Sequence, residues 1–197
     1  SASSSSKEIL SASNDDLLKS GGNNFYYDGT WYEDLDDAVD EACDNNGGTI
    51  RIWGGTYGSD SDDVKITISD GVHLTFEPYG SSHTVIFDGS KNDNWFFEIS
   101  DKNAHVTFNR ITFRNGGAFQ GGAIEVDEGQ LNVNDCIFES NKAFQNLAGG
   151  YGWGGAIYLD DDECSLVARN CRFINNNAAS GGGAVCVEGD GSNADFY

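Results

Sequence analysis

The stretch Gly121-Gly122-Ala123-Ile124-Glu125-Val126 recurs twice downstream. It returns as Gly154-Gly155-Ala156-Ile157-Tyr158-Leu159 and as Gly182-Gly183-Ala184-Val185-Cys186-Val187. Each copy is a Gly-Gly turn feeding a short alternating strand. Self-similarity at a near-constant interval marks a repeat architecture. From 121 to 154 is 33 residues and from 154 to 182 is 28, so constant strands are joined by loops of variable length.

A second pattern travels with the first. Val106 to Phe113, Leu131 to Phe138 and Leu166 to Phe173 align position by position, with apolar residues at Val106/Leu131/Leu166, Phe108/Val133/Ala168, Ile111/Cys136/Cys171 and Phe113/Phe138/Phe173. Two copies carry an Asn three residues after the Phe, Asn141 and Asn176. Strands this short cannot bury an apolar face alone, and stacking coil on coil buries it.

Three strands per coil follow. The first set is 64–68, 95–99, 122–126, 155–159 and 183–187. The second is 72–76, 104–108, 130–133 and 165–168. The third is 49–53, 84–87, 110–113, 136–138 and 171–173. The fold class is all-β, a right-handed parallel β-helix. A leucine-rich horseshoe would need a Leu-rich consensus with a helix or 3₁₀ turn per repeat, and neither is visible. Val126, Leu131, Val133, Phe138, Leu159, Leu166, Phe173 and Val187 are the expected stacked core.

Residues 33–46 read as a helix. Leu35, Ala38, Val39, Ala42 and Cys43 share one face. Acidic residues crowd the first turn, where the helix dipole favours them, and Asn45-Asn46-Gly47-Gly48 stops it. A short amphipathic helix before the first strand suits the open apolar end of a β-helix. The domain organisation is thus a Ser-rich leader over 1–24, expected to be mobile, and a single β-helix domain over 25–197. The chain stops part-way round a coil, so a longer parent protein is expected, and the exposed last coil can pair end to end with another copy.

The 197 residues hold 11 Lys+Arg against 32 Asp+Glu, a net charge of −21. Such a surface repels phosphate backbones and anionic membranes, which argues against nucleic-acid binding. No apolar run is long enough to insert in a bilayer as a helix. The five cysteines include no CxxC pair and offer no zinc spacing. Cys136 and Cys171 fall at one inward position on successive coils and read as stacked thiols, since parallel Cβ vectors disfavour a disulfide. His73, His83 and His105 have no nucleophile partner at a recognisable spacing. Two acid runs lie in turns, Asp60-Ser61-Asp62-Asp63 and Asp160-Asp161-Asp162-Glu163. No cofactor motif is present. Calcium is the ion that clustered carboxylates suit, with Asp160, Asp161, Asp162 and Glu163 as candidate ligands, against the plainer reading of a solvated turn.

The order GGAIxV, LxV, CxFxxN resembles adhesin-like and polymorphic outer-membrane repeat proteins with right-handed β-helix passenger domains, among them the adhesin-like proteins of methanogenic archaea. The helix, the strand and Gly54-Gly55-Thr56-Tyr57 also look like the start of many pectate-lyase-like β-helices. One departure is Phe113, which is followed by Asn115, one residue early. The resemblance implies a secreted surface protein that binds a glycan or a surface protein of another cell and turns over no substrate. A polysaccharide lyase or glycoside hydrolase on the same scaffold is the alternative, and a structural stalk is another. A hydrolase needs two carboxylates roughly 5–9.5 Å apart, and Glu98 and Glu125 are neighbours on the outer face of the first sheet.

Loops between the third strand of one coil and the first of the next lie along one edge. The longest, 139–154, holds Phe144, Tyr151 and Trp153 among Gly and Asn, with Phe119 and Trp95 alongside. Function on solenoids concentrates in such insertions. Tyr151 and Trp153 are therefore the expected ligand anchors, flanked by Phe119 and Phe144. The competing reading is that these rings fold back over the coil edge.

Overall fold

A computed structural model describes residues 22–58, 64–90, 95–145 and 149–197. Residues 1–21 of the leader and the acid run Asp60-Ser61-Asp62-Asp63 lie outside the described residues. The chain winds as a β-solenoid of about five turns. In order it runs through β1 (Phe25–Tyr27), β2 (Thr30–Tyr32), α1 (Leu35–Asp44), β3 (Gly47–Ile52), β4 (Gly55–Tyr57), β5 (Ile66–Ile68), β6 (His73–Pro78), β7 (Val85–Asp88), β8 (Phe97–Asn109) and β9 (Ile111–Arg114). It continues through β10 (Gly117–Ala118), β11 (Ile124–Asn134), β12 (Ile137–Glu139), β13 (Lys142–Ala143), β14 (Ile157–Leu159), β15 (Ser165–Arg169), β16 (Arg172–Ile174), β17 (Asn177–Ala178), β18 (Val185–Val187) and β19 (Asn193–Phe196).

Coil-to-coil pairing is parallel and in register. Phe97, Ile124, Ile157 and Val185 stack along the first sheet. Val106, Leu131, Leu166 and Ala194 stack along the second, and Phe87, Phe113, Phe138 and Phe173 along the third. In β8 and β11 the first and second strands fuse into one bent strand, so those two sheets are continuous. A short extra sheet, β10-β13-β17, follows the third.

The Gly-Gly motif is explained by space. Its first residue sits in the left-handed region at Gly121, Gly154 and Gly182 (φ 56°, 62° and 62°). A Cβ on its second residue, Gly122, would overlap the Gly155 carbonyl of the next coil. Sharp corners bracket the third strand in the same way. Arg110, Asp135 and Asn170 precede it and Asn115, Ser140 and Asn175 follow it, all with φ between 52° and 57°. Asn and Asp tolerate this conformation better than most residues.

Inside, rings stack on rings. Phe87–Phe113, Phe113–Phe138 and Phe138–Phe173 have centroids 5.6, 5.1 and 5.0 Å apart and are nearly parallel. At the corner beside them, Asn141 is fully buried. Its amide donates to the Phe113 carbonyl and accepts from the Gly116 N–H, and Asn176 repeats the bond to the Phe138 carbonyl one coil on. Gly116 holds the ladder position in the coil where the Asn comes one residue early. A side chain there would run into the Phe96 ring and the Asn141 amide.

Four features depart from the sequence reading. The stretch 49–53 was expected in the third sheet, but β3 pairs with β6, placing it in the second. The third-sheet strand of that coil is β4, within the Gly54-Gly55-Thr56-Tyr57 segment, and Tyr57 lies beneath Phe87. The helix is shorter than 33–46, because Asp34 is an extended N-cap and Asn46 and Gly47 turn left-handed. Val187, expected in the core, is 38% exposed, and Phe173 is only partly buried, since each lies in the last strand of its sheet and no described strand pairs beyond it. Finally, α1 does not close the first coil alone. The antiparallel hairpin β1-β2 pairs with the edge of β3, Phe25 opposite Ile52. Leu35, Ala38, Val39 and Ala42 then bury the helix on the core.

Cys136 is buried and Cys171 half-buried, and both thiols are free. Each sulfur contacts backbone carbonyls of its own and the preceding coil, so they sit as stacked free thiols that also use their polar S–H groups.

Candidate functional site

Beside the first sheet, residues before β5 and β8, the β10 segment, Phe144 and the start of β11 enclose a cleft of about 580 Å³ lined by Lys65, Trp95, Gly117, Ala118, Phe119, Gln120, Glu125 and Phe144. Trp95 precedes β8, Phe119 and Gln120 follow β10, Phe144 follows β13, and Glu125 is the second residue of β11. Loops between the coils supply the rings and a strand of the first sheet supplies the acid. Lys142 holds its ammonium 5.0 Å from the centre of the Phe144 ring.

Two of the four aromatic candidates, Phe119 and Phe144, meet in this cleft. Phe119 is 54% exposed. Tyr151 is 49% exposed, with its ring centre 6.5 Å from that of Phe119, extending the aromatic edge beyond the cleft. Trp153 is placed differently. Its backbone bridges Gln120 and Gly181 on the neighbouring coils, and its indole lies against Gly181, whose missing side chain leaves the room. Part of the reading that these rings cover the coil edge thus applies to Trp153.

Electrostatics concentrate behind the cleft. Glu98 and Glu125 are register partners. Carboxylate oxygens of Glu125, Asp127 and Asp160 lie within 4.8 Å of one another. Burial, then Asp127, Glu98 and Asp160, push the Glu125 carboxyl up to about 8, and Asp127 is raised by the same two causes, burial and neighbouring acids. Gln120 donates to Asp160 at 3.2 Å. Tyr158 stands at the outward position one coil above Glu125, yet it is buried. Its hydroxyl is 2.8 Å from Asp160 and 2.5 Å from Glu188, and burial and those carboxylates raise it far above the usual phenol range.

Of the four acids expected to hold calcium, Asp160 alone joins this cluster. Asp161, Asp162 and Glu163 are exposed in the turn. Asp162 accepts the Asp190 N–H and the Asp161 carbonyl accepts the Ser192 hydroxyl, so they brace the next coil. Among the described residues, Glu125, Asp127 and Asp160 are the set whose spacing suits a hard cation. Glu125 was visible in sequence as an outward residue. Asp127 was not, because the link from Val126 to Asp160 depends on how the two coils bend.

Fold and cleft together define a β-solenoid repeat protein with a lateral aromatic cleft. The family model for the Chlamydia polymorphic membrane protein repeat matches residues 135–160 and 170–188, which span β12 to β14 and β16 to β18. In these segments the chain is similar to that repeat, which supports a β-helix repeat protein of the polymorphic membrane type. No curated protein and no solved structure matches the chain. Among the described residues, no helix is long and apolar enough to cross a membrane.

Proposed function

We propose that this chain is a cell-surface adhesin segment that binds a glycan, without turnover, in the cleft between the outer face of the first sheet and the loops bearing Phe119 and Phe144. The cleft itself carries the reading. It combines exposed rings with amide and carboxyl groups, as sugar recognition requires: a ring stacks on the apolar face of a pyranose and polar groups bond its hydroxyls. Trp95, Phe119 and Phe144 form the wall, Gln120 and Glu125 supply the polar contacts, and Tyr151 extends the platform. The polymorphic-membrane-type repeat supports the surface setting.

The test is the double substitution Phe119→Ala with Phe144→Ala, measured on a glycan array and against whole cells, with melting followed in parallel. Binding falls at least tenfold with the fold intact if the cleft is the site. Unchanged binding overturns it, and a protein partner would appear as cell binding with a blank array.

One observation favours a second reading, glycoside hydrolysis. Burial and acidic neighbours push the Glu125 carboxyl up to about 8, as a general acid in a hydrolase is raised. Release of reducing ends that Glu125→Gln abolishes would establish it, and binding without release excludes it.

A further inference from the structure

We propose that the glycan taken by this cleft is cationic, a polymer of hexosamines with free amino groups, seated with a sugar face on the aromatic wall and an ammonium at Glu125. The inference rests on the glycan-binding reading above and names its ligand class.

Charge is the first argument. Glu125 opens on the cleft from β11, Glu98 is its neighbour on β8, and Asp127 and Asp160 stand behind it. Lys65 lines the cleft wall, and Lys142 is drawn over the Phe144 ring. Like charges stacked on one sheet face destabilise each other, and an ammonium inserted among them relieves that repulsion. An acidic polysaccharide would add to it, on a chain already at −21.

The wall is the second argument. Aromatic faces attract cations by their quadrupole, and the Lys142 ammonium over Phe144 shows this chain using one cleft ring in that way. Trp95 and Phe119 offer the same chemistry to a ligand. A neutral N-acetylated sugar can stack on these rings but leaves the acid floor uncompensated.

The experiment uses the full chain and three probes: a glucosamine hexamer, its fully N-acetylated form and an oligogalacturonate of equal length. Titration calorimetry at pH 7 is run at low and high salt. The amino form is expected to bind at least tenfold tighter than the acetylated form and to weaken with salt, while the galacturonate gives no heat. Glu125→Gln, a near-isosteric change that preserves packing, abolishes the preference. Equal or tighter binding of the acetylated form overturns the inference and leaves the glycan reading standing. A preference that survives Glu125→Gln overturns the role of that residue. Failure of all three probes overturns the inference, and an array blank for every other glycan overturns the glycan reading with it.

Discussion

The phenylalanine ladder inside the third sheet and the Glu98–Glu125 pair outside the first are made by the same operation, the repetition of one residue position at the spacing of parallel strands. Outside, though, the repeat stops at one pair, because Thr67 and Tyr158 hold that position on the flanking coils. Inside, Phe113, Phe138 and Phe173 stack face to face at 5.1 and 5.0 Å. Outside, Glu98 sits against Glu125, with Asp127 and Asp160 close by. Rings gain from having their like about 4.8 Å away, because dispersion and burial both favour it. Carboxylates lose by it, and Glu125 answers by keeping its proton. Asn141 and Asn176 lie between these extremes. An amide carries both a donor and an acceptor, so a stack of amides satisfies itself. A solenoid therefore amplifies whatever its register repeats, and the stacked acids form a face that stability alone does not explain.

A third carboxyl sharpens the contrast. Asp88, on the outer side of the third sheet, is also pushed up by burial, but hydrogen bonds from Asn115, Ser90 and Arg114 outweigh that and hold it well below the usual carboxylate range. Arg114 is its register partner, with Nε 2.7 Å away. The two acids differ in what the adjacent coil places beside them.

The largest effect is expected inside. Phe138→Ala breaks the ring ladder in the middle, between Phe113 and Phe173, and removal of a fully buried ring costs about 3–5 kcal/mol. Denaturant melts check it. A loss below about 1 kcal/mol would mean that the ladder is incidental to the core.

The corner comes next. Asn141→Ala leaves the Gly116 N–H and the Phe113 carbonyl without their partner in a buried corner. Each unmet group costs about 1–3 kcal/mol. Asn141→Asp keeps the shape and the acceptor but loses the donor, and is expected to be worse at pH 7 than at pH 4. If alanine is harmless, the ladder is decoration.

How much of this was legible follows the same division. The stacked core and the parallel register were readable because apolar periodicity and the Gly-Gly turns repeat. Val126, Leu131, Val133, Leu159 and Leu166 are all buried where alignment placed them. The first coil was misread because Thr49-Ile50-Arg51-Ile52 alternates equally well in either sheet, and nothing precedes it with which to align. Its hairpin was missed although Asp28-Gly29 stands between two aromatic strands, a strong two-residue hairpin signal. Both residues adopt positive φ, 40° and 89°. In the site, the aromatic edge was visible as composition in one long loop. Which rings open on the cleft and which pack on a neighbouring coil was not, because Trp153 depends on the absent side chain of Gly181, in the next coil. Asp127 was hidden for the same reason: its partner Asp160 arrives from another coil.

The effect that bears most directly on the stacked carboxyls is the pH dependence of Glu125→Gln. The Glu125 carboxyl has its folded value raised from 4.5 to about 8. Between those values the unfolded chain gives up the proton and the folded chain keeps it. Folding then takes up a proton, so this group's contribution is full below about pH 4.5 and is lost as pH rises towards 8. Other groups titrate in the same window. His105 is lowered by burial and by His73, stacked on it at 4.2 Å, and acts in the opposite sense, weakening the fold as pH falls. Asp88, being depressed, acts only at still lower pH. The informative quantity is therefore the difference between Glu125→Gln and the parent chain, in which those terms cancel. Melting temperatures should coincide near pH 4, diverge in favour of the glutamine variant from about pH 5 to 8, and run parallel above. A difference that is constant with pH would mean that Glu125 is ionised at neutrality like any surface acid, and the cost assigned to stacked carboxyls would fall with it.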